Sequence, residues 1–402
     1  MNRVVLAYSG GLDTSVAIRW LREKYDLEVV TLTADLGGGI DLEEARRRAL
    51  DIGARDAYVV DGREEFVSDF VMPALQAGAL YEDLYPLATA LARPLIARIM
   101  VGVARRSNAS LIAHGCTGKG NDQVRFDVAT TALAPDLKVI APIREWHMSR
   151  EEEIEYARRH GIEVPVERES PYSTDENLWG RSCECGILED PSVEPPEDAY
   201  AWTCRRQEAP TTPRYLEVDF ESGIPVRVDG TAMGALELIE ELNRIAGETG
   251  VGRIDMIENR LIGLKSREIY EAPAAVVLHA AHRAVEDLTL TKDTLRFNRL
   301  VGQTYADLIY NGLWFGALRR DLAAYVSSAQ RHVTGTARLK LQQGSCTVVG
   351  RTSPASLYDH DLATYGGEDT FDYRAADGFI ALWGLPLRVQ ARRQSLVPSD
   401  AE

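Results

Sequence analysis

Residues 3–21, RVVLAYSGGLDTSVAIRWL, join a short apolar run to a helical pattern through a turn of glycines and hydroxyl side chains. The segment RVVLAY is rich in β-branched and apolar residues, as buried strands are. An apolar stripe at helical spacing follows the turn: Val16, Ala17, Trp20 and Leu21. The stretch therefore predicts a strand, a turn at residues 9–11 and a helix from about residue 13.

The same alternation of β-rich runs and helical patterns continues over the first 160 residues. The predicted strands are RVVLAY (3–8), LEVVTLTADL (27–36), DAYVVDG (56–62), ASLIAHG (109–115) and KVIAPI (138–143). The predicted helices lie near residues 13–25, 41–53, 63–77, 93–107 and 121–134. Ser149 and Glu152 form a capping box at the start of a further helix, which ends at Gly161. This alternation is typical of a parallel, doubly wound sheet, so we predict an α/β nucleotide-binding domain over residues 1–165.

The second half of the chain has a different pattern. Prolines cluster between Glu163 and Pro213, where we predict a domain boundary followed by long loops. Two hairpins are expected beyond it, RYLEVDF with IPVRV (214–228) and TARLKL with SCTVVGR (336–351). With the helical patterns at 234–247 and 291–331, they predict an α+β domain over residues 166–365.

The last residues, 366–402, begin with a helical pattern and contain a group of apolar side chains: Phe379, Ile380, Leu382, Trp383 and Leu385. An apolar terminal helix has to bury that face against something. We predict an oligomerisation helix that contacts another subunit; docking on its own domain is the alternative.

Composition limits the kinds of partner. The net charge of −16 disfavours nucleic acid. No apolar run approaches the 18 or so residues of a membrane span, and the chain starts on a strand rather than a signal peptide, so we predict a cytoplasmic protein without membrane contact.

Two spacings resemble metal ligands without completing a site. Cys183 and Cys185 form a C-x-C without a second pair, and His279 and His282 lack a third ligand. Five scattered cysteines suit a reducing compartment. We predict ordinary thiols, ordinary helical histidines and no protein-held metal.

The turn after the first strand is suited to an anion. Backbone N–H groups at a helix start lack intrahelical partners, and the helix dipole favours negative charge there. Gly10 and Gly11 permit close approach of an oxyanion, while Ser9, Thr14 and Ser15 can donate hydrogen bonds. The alternative is a tight βα turn with helix-capping hydroxyls. Neither a Walker A loop nor a G-x-G-x-x-G fingerprint is present.

A second loop, HGCTGKGNDQVRFD (114–127), leaves the fourth strand on the same side of the predicted sheet. Ligands bind beyond the carboxyl ends of such strands. Thr117, Asn121, Asp122 and Arg125 supply a hydroxyl, an amide, a carboxylate and a guanidinium, which together suit a zwitterionic amino acid. Loop glycines with an Asx cap, or a surface pair of Asp122 and Arg125, are the alternatives.

These motifs resemble those of known enzymes. S-G-G-x-D-[ST] after the first strand resembles the pyrophosphate-binding motif of the N-type ATP pyrophosphatases, which have an adenine nucleotide alpha-hydrolase-like fold. TGKGNDQVRF, LARP at 91, SPYSTDENLWGRS from 170 and GVGRIDMIENRLIGLKSREIYEAP from 250 are similar to the argininosuccinate synthase family. The similarity runs from residue 3 to GRTSPASLY near 358.

The resemblance implies a carbon–nitrogen ligase of arginine biosynthesis. It would condense citrulline with aspartate, using ATP and Mg²⁺ and passing through citrullyl-AMP, and it would form a homotetramer. The implied ATP contacts are Ala7, Tyr8, Ser9, Gly10, Gly11, Leu12, Asp13, Thr14, Ser15, Ala34 and Gly115, with Asp13, Ser9 and Thr14 as catalytic residues. The implied aspartate contacts are Thr117, Asn121 and Asp122. The implied citrulline contacts are Tyr85, Asn121, Arg125, Ser173, Ser182, Glu258 and Tyr270.

The chain departs from the family pattern at one position, and two other functions are compatible with the same motif and fold. The family has serine where this chain has Ala90, and Thr89, one turn after Tyr85, is expected to face the same site. A tRNA-thiolating enzyme would use the same motif with Cys116 or Cys183 as a sulfur carrier, although the acidic charge opposes tRNA. A nucleotide-binding regulator or electron-transfer subunit on the same fold is the non-enzymatic alternative.

Overall fold

Strand β1 lies at the centre of a five-stranded parallel sheet. The computed structural model describes residues 2–39, 41–163, 172–366 and 370–394. Its first five strands are β1 (Arg3–Ala7), β2 (Glu28–Asp35), β3 (Asp56–Asp61), β4 (Leu111–Ala113) and β5 (Lys138–Ile140). They are ordered β3-β2-β1-β4-β5, and every pair is parallel, which confirms the predicted strands. The order reverses between β1 and β4, so the crevice beyond their carboxyl ends is the natural ligand position.

Helices cover both faces of this sheet. They are α1 (Leu12–Tyr25), α2 (Leu42–Ile52), α3 (Arg63–Phe66), α4 (Met72–Gln76), α5 (Ala88–Ser107), α6 (Asp122–Leu133), α7 (Pro142–Trp146) and α8 (Arg150–Arg159), with a π-helical turn (Val67–Val71) joining α3 to α4. Alternate side chains of β1 enter different cores, Leu6 with Ile18 of α1 and Val5 with Met100 of α5. This alternation confirms the doubly wound α/β prediction.

The starts of two helices can be compared with the starts predicted from the local sequence. The Ser149 hydroxyl accepts a hydrogen bond from the Glu152 amide, and the Glu152 carboxylate accepts one from the Ser149 amide. The predicted capping box is therefore present at the start of α8. Helix α5 begins at Ala88, five residues before the predicted 93, and holds Pro94 in its interior. A proline usually marks the first turn of a helix, so the local pattern predicted too late a start.

The second half is built on two antiparallel sheets. Its strands are β6 (Ser173–Asn177), β7 (Gly180–Glu184), β8 (Arg214–Glu221), β9 (Ile224–Val228), β10 (Thr231–Ala232), β11 (Arg253–Asn259), β12 (Lys265–Glu271), β13 (Gly335–Gln342) and β14 (Ser345–Thr352). One sheet is ordered β10-β9-β8-β13-β14 and the other β11-β12-β7-β6. Both predicted hairpins are confirmed as β8–β9 and β13–β14.

The helices of this half are α9 (Ala235–Glu248), α10 (Pro273–Thr289), α11 (Lys292–Tyr310) and α12 (Ala317–Ala329). The helical pattern predicted over 291–331 is therefore two helices, because Gly312 adopts a positive φ of 76° between them. The prediction of long loops after Glu163 is wrong for β6 and β7. Strand β6, STDEN, is polar and is held by pairing with β7, which a local pattern does not reveal.

The hairpin of β6 and β7 is anchored to the parallel sheet's ligand edge. The Leu178 amide donates to the Leu36 carbonyl at 2.8 Å, and the Asn177 side chain donates to the Ala88 carbonyl at 3.0 Å. Trp179, buried between them, donates its indole N–H to Pro86 at 2.8 Å. These bonds bring polar residues of the second sheet to the crevice beyond β1 and β4.

The chain divides into two compact units, Met1–Ala355 and Ser356–Glu402. The second holds three short helices, α13 (His360–Ala363), α14 (Tyr373–Trp383) and α15 (Leu385–Gln394), in agreement with the predicted terminal helix. The boundary predicted at 165/166 lies outside the described residues. In the described ranges, no helix is long and apolar enough to cross a membrane.

Candidate active site

The turn between β1 and α1 is open and glycine-dependent. Gly10 has a positive φ of 82°, a conformation that favours glycine. Gly11 precedes α1 and has no side chain to cap its first turn. The hydroxyls of Ser9 and Thr14 lie 3.2 Å apart beside it. The amide of Gly11 and the hydroxyls of Ser9 and Thr14 bond to one another in this turn, so these donors lie together where the anion is predicted.

Two further side chains support this turn. The buried hydroxyls of Tyr8 and Ser15 are 3.1 Å apart, which ties the strand end to the helix. Arg48 of α2 donates to the Gly10 carbonyl at 2.8 Å and pairs with Glu44. Arg48 cannot be recognised from the sequence as part of the turn, because it lies 38 residues away in a helix of similar arginines. Its guanidinium adds positive charge where an anion is expected.

Asp13 lies at the outer side of the turn. Its side chain is 41% exposed, and Arg150 of α8 lies 3.0 Å from its carboxylate. It does not line the cleft beyond β1, and neither do Gly10, Gly11, Leu12 and Ser15. The three predicted catalytic residues therefore do not share one position: Ser9 and Thr14 line the cleft, whereas Asp13 lies at its edge.

The cleft itself opens beyond β1, β2 and β4. Six predicted ATP contacts line it: Ala7, Tyr8, Ser9, Thr14, Ala34 and Gly115. Leu36, Ile96 and Phe126 add apolar surface suited to a flat ring. A Cβ on Gly115 would lie 2.8 Å from the Thr14 methyl group, so a side chain there would displace Thr14.

A buried histidine shapes the loop after β4. His114 Nε2 lies 2.8 Å from Asp127, and its Nδ1 accepts the Cys116 amide at 3.2 Å. Because Nδ1 accepts, the ring proton is on Nε2 and is donated to Asp127. Burial opposes ionisation of Asp127, but His114 and Arg144 outweigh it and lower the pKa of that carboxyl. This chain of bonds fixes the backbone of the predicted nucleotide loop.

Cys116 is a neutral thiol in this loop. Burial, together with the charge of Asp122, raises the pKa of the thiol well above its usual range. A sulfur carrier must form a thiolate, so this environment disfavours the thiolation alternative. Cys183 is fully buried in a core with Leu188 and Ile269, and burial raises the pKa of its thiol.

A polar pocket adjoins the cleft and brings distant parts of the chain together. It contains these predicted substrate residues: Tyr85, Asn121, Asp122, Arg125, Ser182, Glu258 and Tyr270. Thr89 lines it as well, with its hydroxyl 2.7 Å from that of Tyr85. Ala90, by contrast, is fully buried in the core. Ser173 and Thr117 are exposed and do not line the pocket.

Glu258 is the centre of a buried hydrogen-bond cluster. It accepts from Tyr270 at 2.8 Å and from Tyr310 at 2.7 Å. Asn121 donates to the Tyr310 hydroxyl at 2.7 Å. Burial raises the pKa of Glu258 although both tyrosines lower it. Tyr310 was missed because it is 52 residues from Glu258 in a helix of ordinary pattern.

Arg125 has hydrogen-bonding capacity left over. Its Nε donates to the Tyr310 carbonyl at 2.9 Å and its Nη1 to Asp122 at 2.9 Å. Its Nη2 is buried without a partner in the described chain. A buried, unpaired guanidinium N–H is costly, so a ligand oxygen in the pocket would satisfy it.

One ion cluster separates the cleft from the polar pocket. Arg93 of α5 lies 2.8 Å from Asp122 and also pairs with Asp175 of β6. Asp175 lines both the cleft and the pocket. Burial opposes the charge of Asp122, but Arg93 and Arg125 outweigh it and lower its pKa, whereas burial raises the pKa of Asp175. The only sequence signal for Arg93 was a charge in the apolar run of LARP.

His279, His282 and the cysteines lie in surroundings typical of residues without a metal or catalytic role. His282 is buried, with Nε2 2.9 Å from Gln330, and His279 lies on the same helix α10. The five cysteines are unpaired thiols. Among the residues that the structure describes, no three acidic, histidine or cysteine side chains form a metal-binding group.

Comparison with known proteins gives one consistent result. The family model described as "Arginosuccinate synthase N-terminal HUP domain" matches residues 3–163, and "Arginosuccinate synthase C-terminal domain" matches residues 172–390. A protein of Rubrobacter xylanophilus called argininosuccinate synthase is 60% identical over 399 residues, covering 99% of this chain and 96% of that protein. Proteins of that name from Dehalococcoides mccartyi (56% identical, covering 99% of this chain and 98% of the relative) and Gloeobacter violaceus (58% identical, covering 97% and 98%) match similarly.

Proposed function

The chain belongs to the argininosuccinate synthase family, and we propose that its cleft and its polar pocket hold the reactants of that family's reaction side by side. It is an ATP-dependent ligase that condenses citrulline with aspartate in arginine biosynthesis. What remains to be assigned is the work of each residue.

The nucleotide occupies the cleft beyond β1, β2 and β4. Leu36, Ile96 and Phe126 contact the adenine ring, and Ala34 and Gly115 contact the nucleoside. The triphosphate runs toward Ser9 and Thr14, so that the pyrophosphate end lies on the amino terminus of α1. Gly10, Gly11, Leu12, Asp13 and Ser15 form the turn that carries those donors.

Citrulline occupies the polar pocket. The unpaired Nη2 of Arg125 binds its carboxylate, and Glu258, held between two tyrosines, accepts from its ammonium group. Tyr85 and Thr89 add hydroxyls, and the remaining implied contacts that line the pocket are Asn121, Ser182 and Tyr270. Ser173, also implied, lies outside the pocket lining. The ureido end then points to the wall formed by Arg93 and Asp175, beyond which the nucleotide lies.

Aspartate enters beside this wall. Asp122, kept ionised by Arg93 and Arg125, accepts from its ammonium group, and Thr117 and Asn121 donate to a carboxylate. Thr117 is exposed and does not line the pocket, whereas Gly120 and Asn121 of the same loop do. Aspartate therefore approaches the same centre from the solvent side.

Two displacements complete the reaction. The citrulline ureido oxygen attacks the α-phosphorus of ATP, the bond to the bridging oxygen breaks, and citrullyl-AMP and pyrophosphate form. The aspartate amine then attacks the ureido carbon, loses a proton and displaces AMP. A ureido oxygen is a weak nucleophile, so positioning supplies much of the rate enhancement, up to about 7–11 kcal/mol. Mg²⁺ enters as part of the Mg–ATP substrate and neutralises its phosphates.

Asp175 lines both the cleft and the polar pocket, and this shared wall is the main support for placing the two reactants side by side. The test is pyrophosphate release from Mg–ATP with citrulline, with aspartate, with both, or with tRNA and a sulfur donor. We expect sustained release only with both amino acids, and a single-turnover burst with citrulline alone. Release that ignores citrulline, or that requires tRNA, contradicts the proposal.

The proposal also covers the domain bounds, the oligomeric state and the location of the protein. The ATP-binding domain is assigned to residues 1–165, the synthetase domain to 166–365 and the oligomerisation element to 366–402. A cytoplasmic homotetramer is the assembly we infer. Its support is the exposure of large apolar side chains on α14 and α15, among them Phe379 at 62% and Trp383 at 74%. Light scattering of the full chain and of a chain ending at residue 365 tests this assembly.

A further inference from the structure

Helix α2 packs directly against the glycine turn that follows β1. A Cβ on Gly10 would lie 3.7 Å from the Cβ of Ala45 and at the same distance from Nη1 of Arg48. Ala45 and Ala49 are buried in a core with Ile18 of α1, so α2 has a fixed position beside the turn. Arg48, three residues after Ala45, lies on the same face of α2 and is turned to Gly10.

Arg48 holds one peptide group of this turn. Its Nη1 donates to the Gly10 carbonyl at 2.8 Å, and its Nη2 pairs with Glu44 one turn earlier in α2. Only 16% of the Arg48 side chain is exposed, so the guanidinium is largely shielded from water, and the hydrogen bond that it donates is strengthened by its charge. The carbonyl of Gly10 is therefore kept on the side of the turn that faces α2.

The opposite end of the same peptide group is the Gly11 N–H. The Gly10–Gly11 peptide is trans, and in a planar trans peptide the C=O and N–H bonds point in opposite directions. With the carbonyl turned to Arg48, the Gly11 N–H points away from α2 and donates to the Ser9 hydroxyl at 3.3 Å. Ser9 and Thr14 line the cleft, so this N–H is turned to the side where the pyrophosphate is proposed to lie.

Two adjacent glycines make the reversed orientation of this peptide accessible. Rotating the peptide group by half a turn would bring Gly11 from its present φ of −75° to a positive φ, which glycine adopts readily and other residues do not. The rotated group would present a carbonyl oxygen to the cleft in place of an N–H. The carbonyl oxygen carries partial negative charge and repels a phosphate oxyanion, so the anion is bound well in one orientation only.

We propose that Arg48 is a positioning residue that sets the orientation of the Gly10–Gly11 peptide, so that its N–H and not its C=O faces the pyrophosphate of ATP. The inference rests on the proposed function, because that function assigns the turn to pyrophosphate. Without the guanidinium, the peptide populates both orientations, and only the molecules with the N–H turned to the cleft bind the anion well. The apparent affinity falls with the fraction of such molecules.

The test is calorimetric titration of the full-length protein with magnesium pyrophosphate and, separately, with AMP, which lacks the pyrophosphate. Arg48→Met keeps an unbranched stem and removes the donor. We expect its dissociation constant for pyrophosphate to be about tenfold above that of the wild type, as when one molecule in ten keeps the binding orientation. The dissociation constant for AMP should stay nearly unchanged, because the proposed nucleoside contacts, Ala34 and Gly115, are not part of this turn.

Arg47→Met is the matched control, since it removes the same charge from an exposed position of the same helix. It should bind pyrophosphate as the wild type does. Equal dissociation constants for pyrophosphate in Arg48→Met and Arg47→Met overturn the inference. An equal loss of AMP and pyrophosphate binding in Arg48→Met also overturns it, because that result indicates a general change in the cleft.

Repeating the titrations at high salt separates the hydrogen bond from the charge of Arg48. Salt at about 0.5 M screens the attraction between an arginine and a dissolved anion, whereas it leaves the preferred orientation of a peptide group in place. We expect pyrophosphate binding by Arg48→Met to remain about tenfold weaker than binding by the wild type at that salt concentration. Equal binding by the two proteins at high salt would show that Arg48 acts only through its charge.

Turnover with citrulline and aspartate is measured on the same preparations. Absence of wild-type turnover contradicts the proposed function. Normal wild-type turnover, together with unchanged pyrophosphate binding by Arg48→Met, contradicts only the role of Arg48.

Discussion

The hydroxyl oxygens of Tyr85 and Thr89 lie 2.7 Å apart in the polar pocket, and the Thr89 amide donates to the same tyrosine oxygen at 3.0 Å. Ala90, where the resemblance implies a serine, is fully buried in the core. In this chain the threonine hydroxyl therefore orients Tyr85.

Replacing Thr89 with valine keeps the shape of the side chain and removes this hydroxyl. We expect the KM for citrulline to rise about three- to tenfold, the equivalent of one hydrogen bond, with little change in the KM for ATP. Initial-rate kinetics with each substrate varied in turn measure the effect. The matched control is Ala90→Ser, which should not lower the citrulline KM of either protein; a serine that restores binding to Thr89→Val would show that Ala90 faces the site.

Arg93 joins Asp122 and Asp175, so Arg93→Met leaves two half-buried carboxylates without their shared cation. We expect a loss of about 1–3 kcal/mol in the free energy of unfolding, because a partly desolvated charge that loses its partner is costly. Urea titration at pH 7 measures it. Arg105→Met removes an exposed pair with Asp136 on the same helix and should change the stability little. Equal effects of the two substitutions would show that the Arg93 cluster is an ordinary surface network.

Glu268 predicts a pH dependence of stability. It is buried, and burial with the charges of Glu184 and Glu258 raises its pKa to about 8 from an ordinary 4.5. The folded state thus holds this proton more tightly than the unfolded state, so stability falls as the pH rises from about 4.5 through 8. Glu268→Gln should remove about 1–3 kcal/mol of that fall, measured by urea unfolding at pH 5 and 8.5. A decline as steep in Glu268→Gln as in the wild type and in the exposed control Glu248→Gln would contradict this prediction.

Asp13→Ala tests the edge of the phosphate turn. We expect turnover to fall about 100-fold or more, since small displacements of a reacting phosphate have effects of that size. Pyrophosphate release with both amino acids measures the change, and the unfolding midpoint shows whether the fold is kept. Near-normal turnover would remove Asp13 from the catalytic residues.

The fold was predictable where the signal was local. Buried strands such as RVVLAY and the glycine turn at Gly10 are recognisable from a few neighbouring residues, and so is the capping box at Ser149. Strand β6 was not, because its polar residues are held by pairing with β7 and by side chains distant in the sequence, such as Arg93. Pairing between strands is a tertiary effect that overrides local preference.

The same division applies to the candidate site. Asn121 and Arg125 stand in one motif and were predicted, but Tyr310 and Asp175 meet them only through folding. Arg93 was part of a quoted motif without an assigned role, since nothing in LARP indicates two acidic partners 29 and 82 residues away. The partners of a buried charge are a property of the fold.

In the proposed reaction, the ureido oxygen of citrulline in the polar pocket attacks the α-phosphorus of ATP in the cleft. The most direct measurement uses citrulline labelled with oxygen-18 in its ureido group, with Mg–ATP and aspartate, and mass spectrometry of the products. We expect one labelled oxygen in AMP and none in pyrophosphate. Unlabelled AMP would contradict this reaction.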